Sequence, residues 1–246
     1  MFNGTDSRLE LTAFIQSILE YAGKHKFRFG ALYLLLLLYF SLPGLNIPLI
    51  EYRGNSISSL MDQRARESFL FYIPWFSYVD VDEVSPYVLR GIISMEDGNF
   101  FEHKGVDWKE LKKSMRVNTR RKKFARGGST ITMQLSKNLY FTTNKSFFRK
   151  GKELLVTFRL EKEVSKKALL ENYVNIVEWG DGIFGIQKAS KEYFGKNAYE
   201  LSLNESSRLA AVIPSPLKHK PNENSGYVLR RAGMIRGRYS DVILEF

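Results

Sequence analysis

The stretch most able to do chemistry is Met95-Glu96-Asp97-Gly98-Asn99-Phe100-Phe101-Glu102-His103. Two adjacent acids follow an apolar, helix-like run (Val88, Leu89, Ile92, Ile93). Gly98 breaks that run, and phenylalanines flank the acids. A carboxyl group held against apolar rings is harder to ionise, which moves its pKa toward the range a general base needs. The plainer alternative is a helix-terminal acid pair with His103 as a packing residue. Next, Gly127-Gly128-Ser129-Thr130 precedes a helical run from Ile131 to Asn138. Free N–H groups at such a helix start can receive an anion, or the segment is only a cap. Lastly, Lys145, Arg149, Lys150 and Lys152 surround Glu153, and neighbouring cations keep a carboxylate ionised. Arg149, Lys152 and Glu153 share one helix face, which alone would be an ordinary surface ion pair. Taken together, one base suits activation of a hydroxyl, and a cluster of Lys and Arg suits a pyrophosphate leaving group or phosphate recognition.

The elements that must position these groups read as helices. Phe147, Gly151, Leu154, Leu155 and Phe158 recur at helical spacing and predict a helix with one buried stripe. Lys166 to Trp179 predicts another, ended by Gly180-Asp181-Gly182, and a further segment runs from Gly185 to Phe194. Ser202-Leu203-Asn204-Glu205 is a capping box opening a helix that stops before Pro214. No run is strong enough to build a sheet, so the region from Val84 onward is expected to be mainly α-helical.

Upstream, Phe29 to Leu42 carries no charge and centres on Leu34 to Leu38. Apolar character continues through Pro43, Gly44, Leu45, Asn46 and Pro48 to Ile50. About 20 apolar residues cross a hydrocarbon core. Lys24, Lys26 and Arg28 precede the stretch, and positive charge stays cytoplasmic. The expected organisation is a cytoplasmic segment 1–28, a transmembrane anchor 29–50, a juxtamembrane segment 51–83 and a catalytic region 84–246. The juxtamembrane Ile73, Pro74, Trp75, Phe76 and Tyr78 suit an interface. A cleaved signal peptide is the competing reading, but the 28-residue lead is long and no A-x-A-like site follows. An anchor suits a substrate that itself resides in lipid.

Composition narrows the classes. With no cysteine there is no disulfide framework, thiolate metal site or cysteine nucleophile, and three histidines argue against a His-only metal site. Hydrophobic residues at 44% exclude a disordered chain. The net charge of +11 calls for an anionic partner. Most of that excess lies in 109–126, where Lys109, Lys112, Lys113, Arg116, Arg120, Arg121, Lys122, Lys123 and Arg126 face one acid, Glu110. This reads as a solvated or membrane-facing loop. Nucleic acid is disfavoured by the expected location and by the scarcity of stacking aromatics between the charges, where Phe124 is the single one.

Five segments in order resemble the motifs of the peptidoglycan glycosyltransferase family. Glu96 to Gly105 resembles the first, E-D-x-x-F-x-x-H-x-G, and Gly127 to Asn138 the second, G-G-S-T-I-T-Q-Q-x-x-K-N. Arg149 to Glu153, continuing to Glu161, is similar to the third. Leu170 to Asn175 through Gly180-Asp181-Gly182 to Phe194 resembles the fourth, and Glu205 to Pro216 the fifth. With the chain ending at Phe246, the resemblance is to the monofunctional branch, without a transpeptidase domain. Departures are Met133 for the first Gln of the Q-Q pair, Lys145 where relatives often carry Arg, and a more polar Ser206-Ser207-Arg208.

The resemblance implies a lysozyme-like helical fold with a small membrane-proximal jaw, preceded by one transmembrane helix, at the cytoplasmic (inner) membrane with the catalytic domain in the periplasm. It implies that lipid II is polymerised into β-1,4-linked glycan, with inversion and release of undecaprenyl pyrophosphate. On it, Glu96 is the general base, and Lys137, Lys145, Arg149 and Lys152 hold the donor pyrophosphate. Glu153 positions those cations or the leaving group. Ser129, Thr130 and Gln134 line the cleft, with Asp97, His103 and Lys150 also substrate-binding. No cofactor is required. A divalent cation (Mg2+ or Mn2+) could assist the pyrophosphate, though no metal site is dedicated to it. Partners implied are lipid II, the growing strand, the membrane and cell-division or cell-wall synthesis proteins, and no nucleic acid. The rivals are a lytic, lysozyme-like enzyme and a lipid-binding scaffold.

Overall fold

The computed structural model describes residues 23–40, 47–51, 57–68, 77–121, 127–144 and 146–246, with Leu42 and a few positions between 13 and 21. The chain divides into two compact units, Met1–Gly44 and Leu45–Phe246.

In the first unit, helix α1 (Lys26–Phe40) presents Leu32, Leu34, Leu35, Leu36 and Leu37 outward, with apolar residues around its whole circumference. Its 15 residues rise about 22 Å at 1.5 Å each, less than a hydrocarbon core. Among the described residues no helix is long and apolar enough to cross a membrane. The far end of the expected 29–50 anchor belongs elsewhere. Ile47 and Ile50 are buried in the second unit, where Pro48–Glu51 forms a 3-10 turn and the Ile50 carbonyl accepts from Asn172 Nδ2 at 3.2 Å. Their apolar side chains serve packing. Pro43 to Asn46 and the aromatic segment Ile73 to Phe76 lie outside the described residues.

The second unit is mainly helical. It comprises α2 (Ser59–Glu67), α3 (Pro86–Glu96), α4 (Trp108–Arg121), α5 (Ile131–Tyr140), α6 (Phe147–Glu163), α7 (Lys166–Ile176), α8 (Ile186–Phe194), α9 (Leu203–Val212) and α10 (Gly226–Arg236). Helix starts follow local chemistry. Ser58, Thr130, Ser165, Ser202 and Ser225 each accept a backbone N–H three residues on, and Pro86 opens α3. The expected capping box at Ser202 and Glu205 is present in both directions.

Helix α5 is the hub, packed against α2, α6 and α7, while α9 packs on α3 and α10. It buries Ile131, Met133, Leu135 and Leu139 and also Thr132, Ser136 and Asn138, so it is enclosed on nearly every side. Helix α7 fixes the chain before α3 with polar side chains. Asn175 exchanges hydrogen bonds with both backbone groups of Val79, and Glu171 accepts from Tyr78 Oη and Val81 N.

Three expectations are corrected. First, the buried face of α6 is Glu153, Val156, Thr157 and Leu160, whereas Phe147 (99% exposed), Phe148, Leu155 and Phe158 point outward. The hydroxyls of Ser136 and Thr157 both donate to the Glu153 carbonyl, which turns the polar side of the helix inward. Second, the helix expected to reach Trp179 ends at Ile176. Glu178–Gly180 (β1) then pairs antiparallel with Ile183–Phe184 (β2), a small hairpin where no sheet was foreseen. Gly185 follows at φ 79, and a Cβ there would sit 2.9 Å from the Asn175 carbonyl oxygen. Third, the basic run from Lys109 is helical to Arg121, with Trp108 and Met115 exposed among the cations. Residues 122–126 lie outside the described residues, Lys122, Lys123 and Arg126 included.

Candidate active site

Glu96 is the last residue of α3, and its side chain is 12% exposed. Gln134, one turn into α5, donates Nε2 to Glu96 Oε2 at 2.9 Å, and Tyr173 Oη donates to Gln134 Oε1 at 3.0 Å. Arg231 of α10 faces the other oxygen, Oε1, at 3.9 Å. Burial pushes the Glu96 pKa up. The Gln134 hydrogen bond, Arg231 and Lys137 pull it down, and Asp97 adds to the rise. The expected direction is present, and burial is its cause; what the sequence did not show is where the opposing groups come from. Phe100 and Phe101 pack on each other, with Lys166 Nζ 4.5 Å above the Phe100 ring, and the groups that tune Glu96 come from α5 and α10.

Asp97 and His103 stand together inside the fold. The Asp97 carboxylate accepts from Ile131 N at 2.9 Å, at the start of α5, and from His103 Nε2 at 2.8 Å. His103 Nδ1 accepts from Gly105 N at 3.1 Å, so Nε2 carries the proton it gives to Asp97. Thr130 caps α5 and donates to the Gly105 carbonyl at 2.6 Å. Gly105, at φ 93, lies where a Cβ would meet Thr157 at 2.9 Å. Asp97, His103 and Thr130, expected on substrate, bind the first motif to the second. Of that set Ser129 is exposed. Met133 is buried on the core side of α5, so its departure from Gln falls away from the cleft.

Lys137, one turn beyond Gln134, lines an open cleft of about 340 Å³ with Gln134, Asn138, Arg64, Glu178 and the Pro214–Lys218 segment. Burial lowers the Lys137 pKa. Glu153 opposes that drop, and Arg149 and Lys150 reinforce it. Lys137 thus feels the charges of both Glu96 and Glu153. Glu153 is 2% exposed and accepts from Arg149 Nη1 at 2.7 Å and from Lys150 Nζ. Lys152, half-buried, makes no ion pair among the described residues. Lys145 lies outside the described residues.

Sequence reasoning missed Arg231, Tyr173 and the Arg64–Glu178 pair. Glu178, buried on β1, accepts from Arg64 of α2 at 3.1 Å; burial raises its pKa and Arg64 opposes that. No local signal joins residues 114 positions apart. Among the described residues no group of three or more His, Asp or Glu is placed to hold a metal.

One carboxylate tuned by burial stands beside a cleft, and cations converge on a second, buried carboxylate. This arrangement can accept a hydroxyl proton and receive an anion. The family profile for transglycosylases matches residues 68–239. The chain is 39% identical over 170 residues to a biosynthetic peptidoglycan transglycosylase from Janthinobacterium sp. (strain Marseille), covering 69% of this chain and 72% of that one. It is 40% identical over 161 residues to one from Herminiimonas arsenicoxydans, covering 65% and 70%. A third, from Dechloromonas aromatica (strain RCB), is 38% identical over 161 residues, with the same shares. With the family's motifs folded around Glu96 and Glu153, the chain belongs to the transglycosylase family and is a peptidoglycan glycosyltransferase.

Proposed function

We propose that this enzyme polymerises lipid II. The acceptor's 4-hydroxyl attacks the anomeric carbon of the donor N-acetylmuramic acid, a C–O bond forms, and the bond to the pyrophosphate oxygen breaks from the opposite face. The α-linked donor becomes a β-1,4 linkage, and undecaprenyl pyrophosphate leaves with the electron pair. Glu96 takes the hydroxyl proton. Lys137, Arg149, Lys150 and Lys152, with Lys145, stabilise the charge developing on the leaving group. Glu153 holds Arg149 and Lys150 in place. A divalent cation would add to that stabilisation and has no resident site in this reading. The observation that carries the proposal is the placing of Gln134 and Lys137 one helical turn apart on α5, the first bonded to Glu96 and the second charge-coupled to Glu153.

The exposed leucines of α1 and the cations Lys24, Lys26 and Arg28 ahead of them support a membrane anchor with the N-terminus inside and the second unit in the periplasm. The outward Phe147, Phe148, Leu155 and Phe158 of α6 and the basic α4 support a lysozyme-like body whose jaw faces the bilayer. The growing strand and proteins of wall synthesis are the expected partners.

The test is turnover of labelled lipid II by the purified chain, with penicillin present to exclude a transpeptidase contribution. The wild type should lengthen glycan and release undecaprenyl pyrophosphate, and Glu96→Gln should lose about 10²–10⁴-fold in rate. Cleavage of preformed strands without elongation would favour the lytic reading instead.

A further inference from the structure

The two oxygens of Glu96 are not equivalent. Oε2 is occupied by Gln134 Nε2 at 2.9 Å. Oε1 faces Arg231 Nη2 at 3.9 Å, an ionic contact too long for a hydrogen bond, and among the described residues no other group bonds it. The guanidinium is itself fixed on two sides. Nε donates to the Ala211 carbonyl at the end of α9 at 3.1 Å, and the group lies 5.6 Å from the Tyr227 ring centroid. Tyr227 is stacked on His219 at 3.9 Å with ring planes 10° apart. An arginine held by a carbonyl and an aromatic face, and aimed at the open oxygen of a nearly buried carboxylate, has little other work in the fold.

Resting on the reading of Glu96 as the base, we propose that Arg231 is a positioning residue for polymerisation: it fixes the Oε1 edge of Glu96 so that this oxygen, not Oε2, meets the acceptor hydroxyl. The cation also opposes the burial that disfavours the charged carboxylate. The other polar groups around Glu96 are Asp97 at the end of α3, Gln134 and Lys137 on α5, and Tyr173 on α7. Of these, Lys137 is the one other cation, and it is shared with Glu153.

The experiment compares pH–rate profiles for lipid II turnover by the full-length protein in detergent. Wild type is set beside Arg231→Gln, Arg231→Lys, Tyr227→Leu and Glu96→Gln, with Tm measured for each. Loss of the cation in Arg231→Gln should move the acid limb of kcat upward by about one pH unit, because an opposite charge favouring the ionised base is gone. Turnover then falls about tenfold below the limb and recovers only in part at alkaline pH, because the Oε1 edge is no longer fixed, with KM for lipid II unchanged. Arg231→Lys, which keeps the charge, should stay near the wild-type limb. If Arg231→Gln fails to fold, Tyr227→Leu, which loosens the guanidinium, should shift the limb in the same direction. A loss equal at every pH, a loss carried in KM, or no shift in a folded Tyr227→Leu overturns the proposal. Wild-type turnover by Glu96→Gln would overturn the base assignment itself, whatever Arg231 does.

Discussion

Replacing Asp97 with Asn separates a positioning role from a substrate-binding one. The Asp97 side chain is 3% exposed and accepts from Ile131 N at 2.9 Å and from His103 Nε2 at 2.8 and 3.0 Å. Hydrogen bonds to a charged group contribute about 1.5–3 kcal/mol each, and a negative charge at a helix start about 0.3–1 kcal/mol. Asparagine keeps one carbonyl acceptor, so it surrenders the charge and one set of contacts, about 2–3 kcal/mol. For a unit of this size each kcal/mol moves Tm by about 2–4 °C, so Tm should fall by about 5–10 °C in a thermal melt. The Asp97 contact sets the start of α5, which carries Gln134 and Lys137 one and two turns further on, so kcat should fall with little change in KM. A folded variant with wild-type Tm and a raised KM for lipid II would refute this reasoning and return Asp97 to the substrate.

Neutralising Lys137 or Lys152 should weaken lipid II use and binding of moenomycin-like phosphoglycolipids together, by about tenfold or more per lost charge-assisted contact. Neutralising the exposed Arg120 and Arg121 of α4 should instead reduce membrane dependence, each being worth about 1 kcal/mol at an anionic surface. Equal damage from the two sets in detergent would misplace the pyrophosphate site. Because burial raises the Glu96 pKa in the fold, this group favours folding below its unfolded pKa, and that contribution is lost as pH rises through the folded value. Glu96→Gln should therefore gain Tm relative to wild type at neutral pH, the two converging in acid; no gain would mean that the carboxylate is not strained. A reporter fused after Phe246 should be active in the periplasm, and activity confined to the cytoplasm would reverse the proposed topology.

The sequence alone was enough for whatever is encoded within a few residues. Ser202 with Glu205, Thr130 before Ile131, and Pro214 after α9 set helix ends, because a cap needs only its own side chain and the next turn. Glu96 and the lysine and arginine cluster around Glu153 were legible as candidates for a base and an anion site, since such candidacy follows from residue type and near neighbours. Tertiary structure decided which way those groups face. The apolar row of α6 predicted burial for Phe147 and exposure for Glu153. The reverse holds because hydroxyls on Ser136 and Thr157 and the cations of Arg149 and Lys150 satisfy the polar face. Asp97 and His103 look like reactive residues in one dimension, and in the fold they bond each other and the backbone groups of Ile131 and Gly105, which ties the first motif to α5. The tuning of Glu96 by Gln134 and Arg231, and the Arg64–Glu178 wall of the cleft, join residues 38 to more than 100 positions apart. No periodicity or spacing carries such pairs. They arise only when packing of α5 against α2, α6 and α7, and of α9 against α3 and α10, brings the helices together.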